Sequence, residues 1–253
     1  MKFYQPRNVF LLLFSISFTF SSVFGQQTSP FVIKGEVEAP LFIASFSLMG
    51  GAYQFSQKNK IPTDAELLKF SPTQVNSFDR YATHQYSSAA KYASDGFMYA
   101  SAALPLIHLA NPNARKDFGK IALMDVEVFL LNTMMTNFIK EAVHRPRPLV
   151  YNPNVPLSEK RKIDNFKSFY SGHTSTVASQ SFFFAYTFAQ YNPNSKYKPL
   201  VWTTCAIMPI ITGLLRVKAG KHYWTDVMIG YAAGALVGVG VPWLHSKTLW
   251  NIK

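Results

Sequence analysis

One cysteine, Cys205, stands in a sequence of 253 residues, so no intramolecular disulfide can form. There is no CxxC pair and no cluster of cysteine with histidine, which removes zinc and iron–sulfur sites. Acidic residues are scarce, 13 against 25 basic, and the formal charge is +12. Charged residues of both signs make up only 15% of the chain and hydrophobic residues 48%, a balance that excludes a disordered or fibrous protein. No Pro/Gly/Ser-rich linker divides the apolar segments and no internal repeat occurs, so the length is read as one core domain. Composition leaves the membrane question open. A mean hydropathy of +0.04, with 22 Phe and 13 Tyr, lies between a soluble enzyme and a many-pass membrane protein.

What is present begins at the amino terminus. Lys2 and Arg7 precede an apolar run from Val9 to Phe20, followed by small residues up to Gly25. These are the three parts of a secretory signal, residues 1–25, with a cut expected before Gln26; an uncleaved first anchor is the alternative. Further on, apolar segments recur at Leu41 to Tyr53, Phe97 to Ala110, Ile121 to Ile139, Thr176 to Tyr191, Pro199 to Leu215 and Val227 to Leu244. None shows sustained two-residue alternation bounded by hairpin turns, so all are read as helices. The expected fold class is all-α: a bundle of about six core helices, embedded in a membrane. Residues 26–95 form an exported N-terminal helical segment and residues 96–253 the main bundle.

Two Asn-Pro-Asn turns, at 111–113 and 192–194, stop the helices before them and lead into basic connections holding Arg115, Lys116 and Lys120, and Lys196 and Lys198. Short basic connections mark the cytoplasmic side. Spans beginning near 97, 121, 176, 199 and 227 place both connections inside, and Leu41 to Tyr53 is then an interfacial or packed helix rather than a crossing. Val227 to Leu244 carries no charge and spaces Gly230, Gly234 and Gly238 by four, which lets another helix approach closely.

Positive charge gathers at two places, Lys140 to Lys167, with seven basic and three acidic residues, and Arg216 to Lys221. A charge run alone is usually a solvated face. Three patterns in and between the runs suggest more. Lys140 and Arg147 are seven residues apart, so a continued helix would put them on one face as half of a phosphate clamp, with Pro146 and Pro148 stiffening the turn. Ser171-Gly172-His173 opens a helix whose first amides point at whatever lies before them, an anion site with a histidine able to give a proton. Arg216 is followed by His222 and Asp226, four apart, where the carboxylate can take the imidazole Nδ1–H and leave Nε2 bare. Each pattern taken alone is also what a helix cap or a paired histidine looks like; three in order are harder to dismiss.

Together these residues resemble the type 2 phosphatidic acid phosphatase superfamily, which includes lipid phosphatases, soluble acid phosphatases and vanadium haloperoxidases. Its signature runs Lys-x6-Arg-Pro, Pro-Ser-Gly-His and Ser-Arg-x5-His-x3-Asp. It is met by Lys140, Arg147 and Pro148, by Ser171, Gly172 and His173, and by Arg216, His222 and Asp226. Tyr170 stands in place of the signature's Pro, which puts the turn before Ser171 in doubt, and Leu215 in place of its Ser, which loses a hydroxyl.

The resemblance implies three active-site loops on one side of the bundle and a metal-independent phosphomonoesterase with no cofactor. His222 would be the nucleophile, Asp226 its orienting carboxylate and His173 the acid. Lys140, Arg147, Ser171, Gly172 and Arg216 would hold the phosphate; His144 and Arg145 are accessory or surface residues. The expected partners are a phosphorylated lipid, such as a phospholipid or an isoprenyl pyrophosphate, and the membrane; no nucleic acid partner is expected. The site would face the periplasm from the inner membrane. A soluble periplasmic acid phosphatase, a haloperoxidase and a non-turning-over headgroup binder are the other readings.

Overall fold

A computed structural model describes residues 29–250. The amino-terminal segment read as a signal lies outside them. Six long helices carry the fold: α1 (Gly35–Ser56), α2 (Ser88–Ala102), α3 (Phe118–Val143), α4 (Gly172–Tyr191), α5 (Lys198–Lys218) and α6 (Trp224–Leu244). No strand is formed among the described residues beyond an isolated bridge between Phe31 and Ser246. The all-α expectation and the number of long helices hold, but the helix read as Phe97 to Ala110 runs instead over Ser88–Ala102 and is followed by a 3₁₀ turn at Leu104–Ala110.

Local chemistry sets the ends. Ser87 caps α2 by accepting from Ala90 N at 3.2 Å, and Ser171 caps α4 through Thr174 N at 3.4 Å. Asn111 caps the short helix Pro112–Lys116 with its side-chain oxygen, and its Nδ2 donates to Asn192 Oδ1 at 2.8 Å. The two Asn-Pro-Asn turns thus meet at one end of the bundle. At the other end α3 stops at His144, a non-glycine residue in the left-handed region at φ 48°.

α4 is the central helix, packed against α2, α3, α5 and α6. This position explains its polar composition, since Ser175, Ser179, Gln180, Ser181 and Thr187 are all buried inside the bundle. Ser175 Oγ donates to Asn132 Oδ1, and Asn132 Nδ2 donates to Thr176 Oγ1 at 3.3 Å, so the α3–α4 seam is partly hydrogen-bonded. The glycines of α6 meet α4 where its backbone comes closest. A Cβ on Gly230, Gly234 or Gly238 would lie 2.7, 2.1 or 2.3 Å from the carbonyl oxygen of Ser171, Ser175 or Ser179. Two matching four-residue spacings bring the two backbones together, and that contact fixes the start of α4 against the start of α6.

α1 lies along α3 for most of its length, with Phe55 edge-on to Phe138 at 5.6 Å. Its first turn is beside His245, where Glu38 Oε1 is 3.6 Å from His245 Nδ1, and the chain just past its end reaches Glu141 through Asn59. The helix is packed, as expected, but its ends lie at the two ends of the bundle, so it forms a sixth leg rather than a surface helix. By length and composition three segments could cross a membrane: Phe118–Tyr151, Lys198–Lys218 and Trp224–Leu244. α5 and α6 also leave large apolar side chains outward, among them Ile207, Ile210, Leu214, Met228, Ile229 and Leu236.

The long connection from 145 to 171 has its own core. Leu149, Val150, Val155 and Phe166 pack with Leu67, which is why a segment without long helices holds a fixed position over the bundle.

Candidate active site

Three helix ends and two loops surround a cavity of about 590 Å³, lined by Lys140, Arg147, Gly172, His173, Arg216, Lys221 and His222 among others. The end of α3 delivers Lys140, the start of α4 delivers Gly172 and His173, and the last turn of α5 delivers Arg216. Three sequence motifs separated by tens of residues therefore converge. Six cationic side chains line the cavity against three acidic ones, an excess suited to a dianion.

The clamp is built differently from its sequence reading. α3 ends at Val143, so Lys140 and Arg147 do not share a continued helix; Arg147 lies just before the short helix Pro148–Tyr151. Its backbone N–H donates to Asn165 O at 2.7 Å, and its guanidinium pairs with Asp164 at 2.9 Å. Lys140 Nζ donates to Lys167 O at 3.0 Å. Arg216 reaches Ser94 Oγ at 3.2 Å and Asp95 Oδ1 at 3.5 Å. The Nε–H groups of Arg147 and Arg216 are buried and have no acceptor among the described residues.

Gly172 lies where the cavity is narrow, since a Cβ there would meet Thr136 Cγ2 at 3.2 Å and Lys140 Cε at 3.6 Å. Ser171 is fully buried; its hydroxyl caps α4 and contacts Thr174 Oγ1 at 2.9 Å, and its N–H donates to Asp226 O at 3.0 Å. Tyr170 is buried, and its hydroxyl accepts from Thr136 at 3.2 Å, so the residue that departs from the signature anchors the turn before Ser171.

His222 and Asp226 also differ from expectation. α6 starts at Trp224, so His222 lies in the loop before it and the pair does not share a helix face. His222 Nδ1 is 2.8 Å from the carbonyl oxygen of Ser168 and 3.5 Å from Asp226 Oδ2. A carbonyl can only accept, so Nδ1 carries the proton and Nε2 keeps its lone pair. Burial, then the charges of Lys140, Arg147 and Arg216, push the His222 pKa well below its ordinary value, so the ring is neutral. Asp226 accepts from Ser168 Oγ at 2.5 Å, from Tyr223 N at 3.0 Å and from Arg145 Nη1 at 2.6 Å.

Arg145 is therefore no surface residue. Its other nitrogen donates to Asp79 Oδ2 at 2.8 Å, and its plane lies 3.9 Å from the centre of the Tyr223 ring. Asp79 in turn accepts from the N–H and hydroxyl of Thr225. One guanidinium joins two buried carboxylates and locks the start of α6. His144 is structural too, its Nε2–H donating to Lys60 O at 3.2 Å and its ring stacked near Phe166.

Three further residues belong to the site. Asp95 Oδ1 lies 2.8 Å from His173 Nε2. Lys221 lines the cavity, and burial followed by the Arg147 and Arg216 charges brings its pKa down to about 8. Ser168 holds both His222 and Asp226. Nothing local in the sequence separated Asp95, in α2, or Ser168, in the long connection, from other polar residues, whereas Lys221 stood beside His222 in a basic run.

Residues 121–250, just over half of the chain, match the family profile described as PAP2 superfamily. Phosphatidylglycerophosphatase B of Bacillus subtilis (strain 168) is 29% identical over 116 residues, 46% of this chain and 53% of that one. Lipid A 1-phosphatase of Rhizobium johnstonii is 33% identical over 107 residues, 40% of this chain and 38% of its own. The chain thus spans about half or less of the length of these curated relatives. A crystal structure of a transmembrane PAP2 type phosphatidylglycerolphosphate phosphatase from Bacillus subtilis aligns with 99% of this chain and 98% of its own at 21% identity, with a TM-score of 0.44. With three motifs gathered in one cationic cavity and the family profile running across them from α3 to the end of α6, the chain belongs to the PAP2 superfamily.

Proposed function

We propose that this protein is a membrane-bound phosphatase that removes phosphate from a phosphorylated lipid through a phosphohistidine. The observation that carries the reading is the neutral, tautomer-fixed His222 opening into a cavity shared with His173 and the side chains of Lys140, Arg147, Arg216 and Lys221. The relatives named above act on phosphatidylglycerophosphate and lipid A, which supports a lipid phosphate as the substrate class.

In this mechanism the cations, the Gly172 amide and the start of α4 bind the phosphate oxygens. Nε2 of His222 attacks phosphorus as the bond to the ester oxygen breaks. Burial and the Arg216 charge push the His173 pKa down to about 4, so Asp95 and the bound phosphate dianion must raise it before the ring, as imidazolium, gives its proton to the departing alkoxide. Water then loses a proton to His173 and attacks phosphorus, the P–N bond breaks, and inorganic phosphate leaves with both histidines restored. Ser171 serves the site by shaping the helix start, its hydroxyl being engaged as the cap. Outward apolar side chains on α5 and α6 favour the membrane form over a soluble periplasmic one.

Incubating the purified protein with a ³²P-labelled lipid phosphate, quenching in alkali and mapping the label tests the chemistry. Acid-labile label at His222, absent from His222→Ala, is expected; steady turnover by His222→Ala rules out the phosphohistidine. Because the cavity supplies the positive charge itself, turnover should persist in EDTA. A strict need for added magnesium counts against the mechanism.

A further inference from the structure

A second cavity, of about 280 Å³, opens between α2, α3 and α4, lined by Ala102, Asp125, Val126, Phe129, Leu130 and Gln180. The same three helices line one side of the phosphate cavity, through Asp95, Met98 and Tyr99 of α2, Thr133 and Thr136 of α3, and His173 and Thr176 of α4. The two cavities lie at successive levels along the same three helices. Gln180 follows His173 by seven residues, which puts the second level about 10 Å further along α4. Its mouth is apolar and open, with Val126 and Phe129 half exposed.

At its back are two polar groups that the fold does not satisfy. The Gln180 side chain is almost fully buried and hydrogen-bonds to the Asp125 carboxylate. Even so, Gln180 Oε1 and Asp125 Oδ1 are both buried and have no partner among the described residues. Two acceptors in an apolar cleft are costly unless a donor comes from outside. A plain hydrocarbon chain has none.

We propose that this cavity, on the reading of the protein as a lipid phosphatase, holds an acyl chain of the substrate and selects a chain carrying a hydrogen-bond donor, a hydroxyl or an amide N–H, close to the headgroup. The donor bonds to Asp125 Oδ1 and Gln180 Oε1 while the chain continues along Phe129 and Val126. The spacing of the two levels places the donor near the polar end of the lipid. A chain without it leaves both acceptors bare, which is how a site penalises the wrong substrate.

The test compares three lipid phosphates of equal chain length and identical headgroup: one with plain ester-linked acyl chains, one with a 3-hydroxyacyl chain and one with an amide-linked chain. A water-soluble aryl phosphate reports on the phosphate site alone. The wild-type protein is expected to prefer at least one donor-bearing lipid by about tenfold or more in kcat/KM. That ratio should fall toward one in Gln180→Leu and in Asp125→Leu, each ratio being taken within one variant, and either variant suffices if the other does not fold. Preference for the hydroxyl or for the amide identifies the donor. A wild-type ratio near one alongside good aryl phosphate turnover means that water satisfies the acceptors, and it overturns the proposal while leaving the phosphatase reading intact. An unchanged ratio in the variants overturns it too, and absence of turnover on every substrate removes both readings.

Discussion

His222 Nδ1 is closer to the backbone carbonyl of Ser168, at 2.8 Å, than to the carboxylate of Asp226, at 3.5 Å. The tautomer of His222 is therefore set by main chain, and Asp226 holds Ser168 and the start of α6. Asp226→Asn should lose about 10-fold to 100-fold in kcat, well short of the ~10⁴-fold loss that follows where a carboxylate alone sets the tautomer. His222→Ala should fall to background. Stopped assays on one lipid phosphate compare them, and equal loss in both variants contradicts this division of roles.

Among the described residues Arg145 is the one cation that pairs with both Asp79 and Asp226, which are buried. Arg145→Ala leaves two carboxylates uncompensated and should destabilise the fold by about 3 kcal/mol or more. Thermal unfolding in detergent measures it, and activity should drop with stability. Arg145→Lys keeps the charge but not the fork that spans both carboxylates, so it should recover only part of each. A melting temperature unchanged in Arg145→Ala would refute the locking role.

Asp95 raises the proton affinity of His173 against burial and the Arg216 charge, so if His173 is the acid the need for both should grow with the basicity of the leaving group. His173→Ala and Asp95→Asn should slow an alkyl phosphate by at least tenfold more than an aryl phosphate, whose oxygen leaves without help. A linear free-energy series of aryl phosphates gives the same reading as a steeper slope. Equal losses across the series would exclude proton donation.

Lys221, with its pKa near 8, is a cation below that pH and neutral above it. Its attraction for phosphate is present in the acid range and lost as pH rises through about 8. Wild-type kcat/KM should therefore fall between pH 7 and 9 more steeply than that of Lys221→Gln, whose value should already be lower at pH 7. Parallel profiles would remove Lys221 from phosphate binding.

The side of the membrane is a question of parity. The two basic connections meet through Asn111 and Asn192 at the end opposite the cavity, and α1 begins at that same end. Positive charge in these connections favours a cytoplasmic location, which puts the cavity in the periplasm and Ser29 inside. An export signal cut before Gln26 would start the chain outside and reverse both. Single cysteines at Asn113 and Asn154, in a Cys205→Ala background, distinguish the arrangements with a thiol reagent that reaches only the periplasm. Labelling at 154 alone is expected. Labelling at 113 alone places the cavity in the cytoplasm, and labelling at both fits a soluble bundle.

By itself the sequence determined what depends on neighbours along the chain. Turn residues at 111–113 and 192–194, recurring apolar runs and the Gly230, Gly234, Gly238 spacing define helices and a close-packing face because capping and the 3.6-residue period are local. It also picked out most of the side chains that the cavity gathers, since His, Lys and Arg in fixed motif spacings carry recognisable chemistry. Only the tertiary structure decided which groups answer them. The partner of Gly234 is a carbonyl on α4, the acceptor for His222 is the main chain of Ser168, and the carboxylate beside His173 is Asp95, 78 residues away. Arg145 looked like one more charge in a basic run until its two carboxylates, from chain segments 66 and 81 residues distant, were in reach. A main-chain carbonyl has no signature in sequence, and an ion pair across such distances exists only once the helices between have packed.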